Sequence, residues 1–230
     1  MRIAGYQPLT LIDYPGHIAA IVFTQGCAFR CVYCHNPELI PIKGQDELSE
    51  AAILAQIEKD ASMLDGVVVT GGEPTLHPDL PSFLMKIKAL GLKVKLDTNG
   101  VNPRLVERCL QLEAVDFLAM DIKHRWDKYA DVIGDTPEIA VENCRKTFRM
   151  IQDCGLDHEF RTTIYSALHT EDDILTIASQ LKPDESYALQ QVRYDKTLVP
   201  ELEQALPLDL DRLTVKIHAQ FPSLKLAIKI

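Results

Sequence analysis

With 230 residues, 47% of them hydrophobic, the chain is long enough for one well-buried core and suits a single large α/β domain (1–230) better than two small ones. A formal charge of −9 argues against general nucleic-acid binding, which rests on Lys and Arg neutralising phosphates. The stretch Met1–Pro8 lacks the apolar core of a signal peptide, and the apolar run Ile18–Phe23 is far too short to span a bilayer. The expectation is a cytoplasmic protein with no membrane partner, whose six cysteines are thiols or ligands rather than disulfides.

In chain order, Ile12-Asp13-Tyr14-Pro15-Gly16 reads as a tight hairpin turn, because Pro fixes φ and Gly accepts positive φ. The first core strand follows at Ile18–Phe23. Further short apolar runs lie at Val67–Val69, Val94–Leu96, Phe117–Met120, Phe160–Ile164 and Tyr187–Leu189. Runs without alternation suit strands buried on both faces, as in a parallel sheet. Between them, Ile53, Ile57, Ala61 and Leu64 share a helical face. So do Phe83, Ile87 and Leu90, stopped by Gly91, and Val141, Cys144, Phe148 and Ile151, stopped by Gly155. This alternation predicts right-handed βαβ units. Six strands in a core of about 17–195 fall short of a full eight-fold barrel of roughly 250 residues, so an incomplete (β/α)6 barrel with one open side is predicted. Residues 196–230 read as a closing helix and strand.

Cys27, Cys31 and Cys34 follow the first core strand with the spacing C-x3-C-x2-C. Three thiolates on one short loop can wrap a single metal centre. A [4Fe–4S] cluster normally takes four thiolates, so three would leave one iron open to another ligand. A zinc site of the three cysteines plus His35 is the alternative, and a non-enzymatic zinc module would follow from it; structural zinc ligands more often come as two separated pairs. Cys109, Cys144 and Cys154 stand alone on predicted helices and read as small core residues.

Active sites of parallel α/β folds form at the carboxyl ends of the strands. Here the ends carry Gly71-Gly72-Glu73-Pro74, then Asp97-Thr98-Asn99-Gly100, then Asp121-Ile122-Lys123, with Arg161 in the fifth strand. Each alone is as readily a turn or a surface ion pair. Their repetition at one end of successive strands is what points to a site: glycines let a ligand approach the backbone, Glu73 offers a carboxylate to a cation, and Asp121 and Lys123 share a face of their strand.

The ordered set resembles the radical S-adenosylmethionine (SAM) superfamily, whose signature C-x3-C-x-Φ-C has an aromatic residue where Tyr33 stands. Thr24-Gln25-Gly26-Cys27, Cys34-His35-Asn36, Asp97-Thr98-Asn99-Gly100 and Asp121-Ile122-Lys123 resemble the activating enzymes of glycyl-radical proteins. The segment from Leu11 through Leu39 most strongly resembles the branch serving anaerobic ribonucleoside-triphosphate reductase. The resemblance spans roughly residues 5–165.

It implies a [4Fe–4S] cluster on the three cysteines and SAM chelating the open iron. Tyr33 and His35 would lie near the adenine, Gly72 and Glu73 would hold the amino group, and Lys123 and Arg161 would serve the carboxylate or neighbouring charge. Asp97, Thr98 and Asp121 match a monovalent-cation site of such activators, and Asn99 lies in the same cofactor-binding motif. No protein acid or base is implied; reductive cleavage of SAM would yield a radical that takes hydrogen from a glycine of a partner. That partner is expected to be the large subunit of an anaerobic ribonucleotide reductase, with flavodoxin or ferredoxin as electron donor. A radical enzyme acting on a small molecule, of the deazapurine-synthase type, shares the cysteines and Gly-Gly-Glu. Two departures matter. The Tyr-His pair of pyruvate formate-lyase activators is missing from Tyr187-Ala188-Leu189-Gln190-Gln191, and residues 36–108 hold no cysteine for an inserted ferredoxin-like domain.

Overall fold

The computed structural model describes residues 1–44, 47–134, 136–194, 197–199 and 206–229. All six expected strands form. They are β2 (Ala19–Thr24), β3 (Gly66–Gly71), β4 (Lys93–Thr98), β5 (Phe117–Asp121), β6 (Asp157–Ile164) and β7 (Ser186–Gln191). Two more extend the sheet. β1 (Ile3–Thr10) pairs antiparallel with β2 through the hairpin read at Ile12–Gly16, and β8 (Lys225–Lys229) pairs parallel with β7. The strand order is β1 to β8 in sequence, so the sheet ends on β1 at one edge and β8 at the other and does not close.

The helices are α1 (Glu50–Asp60), α2 (Leu80–Ala89), α3 (Pro103–Gln111), α4 (Tyr129–Ile133), α5 (Glu138–Asp153), α6 (Glu171–Ala178) and α7 (Leu210–Gln220). Each predicted face is largely realised: Ile53 and Ile57, Phe83 and Ile87, and Cys144, Phe148 and Ile151 are all buried. Ala61 and Leu64 lie beyond the end of α1, which gives way to a 3₁₀ turn at Ala61–Met63. Gly91 and Gly155 take positive φ just past α2 and α5, as helix stops do. The predicted closing segment holds α7 and β8, although its residues 196, 200–205 and 230 lie outside the described ones.

Strand alternation splits the apolar residues between two layers. Val67 and Val69 face the helices with Leu96, Leu118, Met120, Phe83 and Ile87 in the large core. Val68 points the other way and joins Tyr14, Ala19 and Ile21, packed against Phe23 and Phe117, in a small plug on the inner face. Tyr14 thus carries the hairpin turn inward to seal the end of the sheet away from the cysteines. The inner face above that plug is polar. No described helix is long and apolar enough to cross a membrane.

Candidate functional site

The cysteine loop begins where β2 ends, and main-chain hydrogen bonds hold it from two sides. Gly26 and Cys27 donate to the carbonyls of Leu39 and Ile40 at 2.7 and 3.1 Å, and Arg30 donates to Ile133 at 2.9 Å. Beneath it runs the Gly71-Gly72-Glu73 turn. Gly72 N donates to Thr24 O at 2.9 Å and Glu73 N to Gly26 O at 2.8 Å. Gly71 has φ +121°, and a Cβ there would run into the Thr24 main chain; one on Gly72 would meet the Gly26 and Leu39 carbonyls. The two glycines, expected to let a ligand approach, let the chain's own cysteine loop approach.

Glu73 is engaged by neighbours in its own chain. Its side chain has no exposed surface. One oxygen accepts from Thr75 N (3.0 Å), Thr75 Oγ1 (2.5 Å) and Thr98 Oγ1 (2.7 Å), and the other from Asn99 N (2.7 Å). The carboxylate therefore ties the end of β3 to the end of β4. Burial pushes its pKa up despite these four donors.

Asp97, Asp121, Lys123 and Arg161 meet on the inner face of β4, β5 and β6. Arg161 donates to Asp97 at 2.9 Å and to Asp121 at 2.8 Å, and Lys123 donates to Asp121 at 3.0 Å. Lys95, two residues before Asp97 and only 1% exposed, donates to it at 2.5 Å. Burial opposes ionisation of both carboxyls. Arg161 and the two lysines outweigh it and hold Asp97 and Asp121 below the usual carboxylate range. All four carboxylate oxygens thus take a donor from a cation. As it stands the pair offers no free carboxylate oxygen to a monovalent metal ion.

One cavity of about 730 Å³ collects every residue singled out from the sequence: Cys27, Cys31, Tyr33, Cys34, His35, Gly72, Glu73, Asp97, Thr98, Asn99, Asp121, Lys123 and Arg161. It runs from the cysteine loop along the inner face to Ile12 and Asp13 in the hairpin, with β1 (Gln7) and β8 (Lys229) both contributing. His35 is turned towards the loop after β7, where its Nε2 accepts from Arg193 N at 3.2 Å. Burial pushes the Cys27 thiol up to about 12 and the Cys31 thiol to about 11, so binding iron there displaces protons. Sequence reading missed Lys95, Thr163, Gln190, Arg193 and Lys229, of which all but Lys95 line this cavity. Lys95 precedes Asp97 by two residues, the same spacing that paired Asp121 with Lys123. Gln190 follows Ala188 on the inner face of β7. Lys229 had no such signal.

A model of the Radical SAM superfamily matches residues 21–181. The chain belongs to the Radical SAM superfamily. It is 34% identical over 195 residues to a protein named as a glycyl-radical enzyme activating enzyme from Methanocaldococcus jannaschii, covering 82% of this chain and 79% of that one. It is 34% identical over 128 residues to the pyruvate formate-lyase-activating enzyme of Clostridium pasteurianum, covering 54% of this chain and 52% of that one. In fold it is similar to Streptococcus suis SuiB bound to S-adenosylmethionine (TM-score 0.70, 14% identity, 90% of this chain and 48% of that one). Escherichia coli QueE is similar too (TM-score 0.60, 17% identity, 99% and 93%). As a Radical SAM protein the chain is a SAM-dependent, radical-generating enzyme with a [4Fe–4S] cluster. The three cysteines at one end of the cavity fit that cluster, and Lys123 and Arg161, the cations of the network that line the same cavity, fit an anionic group of SAM.

Two outcomes follow. Gly71→Ala should lower stability by at least ~1–3 kcal/mol, the usual cost of a non-glycine residue in such backbone, and should reduce iron uptake by the displaced cysteine loop. Urea denaturation and iron analysis check this, and an unchanged urea midpoint contradicts it. Asp121 is held ionised by Arg161 and Lys123, with a folded pKa below the unfolded value of about 3.9. Its contribution is therefore complete above that value and is lost as pH falls through the folded pKa. Asp121→Asn should lower Tm at neutral pH and flatten the fall in Tm below about pH 4; parallel wild-type and variant profiles would contradict the pairing.

Proposed function

We propose that this Radical SAM enzyme generates a glycyl radical on a partner protein. The observation that carries this reading is the cavity's place between two unjoined strand edges, β1 and β8, both of which contribute to its lining. An extended peptide segment suits such an opening better than a compact small molecule does. Leu9, Leu11 and Ile12, on β1 and the turn that follows it, are exposed by 54%, 68% and 83%, and supply an apolar lip for a protein surface. The name carried by the Methanocaldococcus relative supports the same reading.

When bound, the cluster and SAM supply one-electron cleavage chemistry, and the protein supplies orientation and exclusion of water. In this reading Cys27, Cys31 and Cys34 ligate the cluster. Lys123 and Arg161, the cations of the buried network that line the cavity, receive the methionine carboxylate. Tyr33 and His35 flank the adenine. Gly72 serves the amino group through its main chain, since the Glu73 carboxylate is committed to Thr75, Thr98 and Asn99. Thr98, Asn99, Asp97 and Asp121 shape the wall rather than bind a free metal ion. Anaerobic ribonucleoside-triphosphate reductase is the proposed partner, on the strength of residues 11–39 and the missing Tyr-His pair. Flavodoxin or ferredoxin is the proposed electron donor.

The test is anaerobic incubation of the reconstituted protein with reductant, SAM and either that reductase or pyruvate formate-lyase, followed by electron paramagnetic resonance. A glycyl radical on the reductase is expected. A radical only on pyruvate formate-lyase would reassign the partner, and SAM cleavage with no radical on either would overturn the protein-activating reading. Leu11→Asp should cut the radical yield about tenfold, equivalent to roughly 1.4 kcal/mol of lost docking, while SAM cleavage without partner stays at the wild-type rate.

A further inference from the structure

Asn99 is gripped from four directions, which no turn requires. Its main-chain N donates to the buried Glu73 carboxylate at 2.7 Å. Its carbonyl accepts from the Cys144 thiol of α5 at 3.2 Å. Its side-chain Oδ1 accepts from Val101 N at 3.0 Å. That last bond fixes which way the amide faces, so Nδ2 points to the Cys27 sulfur, 3.8 Å away. Phe29 N reaches the same sulfur at 3.4 Å. Asn99 is itself only 6% exposed, and Cys144 and Glu73 are fully buried.

A donor aimed at a thiolate ligand favours the more electron-rich state of an iron–sulfur cluster and raises its reduction potential; such outer partners tune a metal site. We propose that Asn99 is a positioning residue that raises the reduction potential of the cluster by donating its side-chain amide to Cys27. The inference rests on the Radical SAM assignment of the three cysteines. It adds to the role of Glu73 and gives one to Cys144. Glu73 is buried to hold the Asn99 main chain, and Cys144, an otherwise ordinary core thiol, holds its carbonyl. The chemistry is economical: cleavage of SAM needs one electron from the cluster, so a donor that stabilises the reduced state eases the step that loads it.

The test is a redox titration of the reconstituted cluster, followed by electron paramagnetic resonance, on wild type and variants matched for iron and sulfide content. Asn99→Ala should titrate at a more negative midpoint, by up to about tenfold in the reduction equilibrium, which is about 59 mV for a one-electron couple. Asn99→Asp, which keeps the shape and replaces the donor with an acceptor, should shift further in the same direction and carries the comparison if the alanine variant fails to load. Cys144→Ala should shift the midpoint less, and Cys144→Ser, which retains a donor to the Asn99 carbonyl, should restore it. A fully loaded Asn99 variant with the wild-type midpoint overturns this inference alone. A wild-type chain that takes up no iron and sulfide overturns the cluster assignment with it.

Discussion

The Glu73 carboxylate joins the end of β3 to the end of β4, and the main chain on either side of it joins both to the cysteine loop. Its oxygens take four hydrogen bonds from Thr75, Thr98 and Asn99, while Glu73 N and Gly72 N reach back to Gly26 and Thr24. A carboxylate without solvent contact is costly unless its lone pairs are met, so this one persists only in a single arrangement of those donors. That constraint sets the height of the cysteine loop above the cavity. The paired glycines make it possible, because any side chain there would push the two backbones apart.

A second constraint lies below. Lys95, Asp97, Arg161, Asp121 and Lys123 form one chain of charge across β4, β5 and β6. Buried ion pairs rarely add stability over apolar packing, so their presence inside a barrel calls for another reason. One reason is that the network sets Lys123 and Arg161 into the cavity wall beside carboxylates whose oxygens are already taken, so the wall offers cations to an anion and no free carboxylate oxygen to a cation. The apolar plug of Tyr14, Ile21 and Val68 closes the barrel beneath it. The cavity thus has charged residues along its wall and an apolar floor, and its lining includes residues of both unjoined edge strands, β1 and β8.

Most of the parallel strands were legible as short apolar runs, β2, β3 and β5 most clearly, and the helices because their apolar positions recur at helical spacing. β1 was not. Its Ile-Ala-Gly-Tyr-Gln-Pro-Leu-Thr mixes polar and exposed residues, as an edge strand with one neighbour can. The site was legible as a set of strand ends, since topology alone brings those ends together. The roles within it were less so. Alternation placed Asp97 and Asp121 inside but could not show that Arg161 bridges them, because that contact joins residues 64 and 40 positions apart. Likewise, Glu73 stood where a ligand-binding carboxylate would stand, and only the neighbouring strand reveals that its partners are Thr98 and Asn99.

The central proposal is that Cys27, Cys31 and Cys34 hold a cluster with one iron free for SAM. Its most direct test is metal and sulfide analysis of the anaerobically reconstituted protein, joined to the electron paramagnetic resonance spectrum of the reduced form with and without SAM. Iron and sulfide in the equal proportion of a [4Fe–4S] cluster, and a spectrum that changes when SAM is added, are the predicted result. Zinc without sulfide, or a loaded cluster whose spectrum ignores SAM, would contradict it.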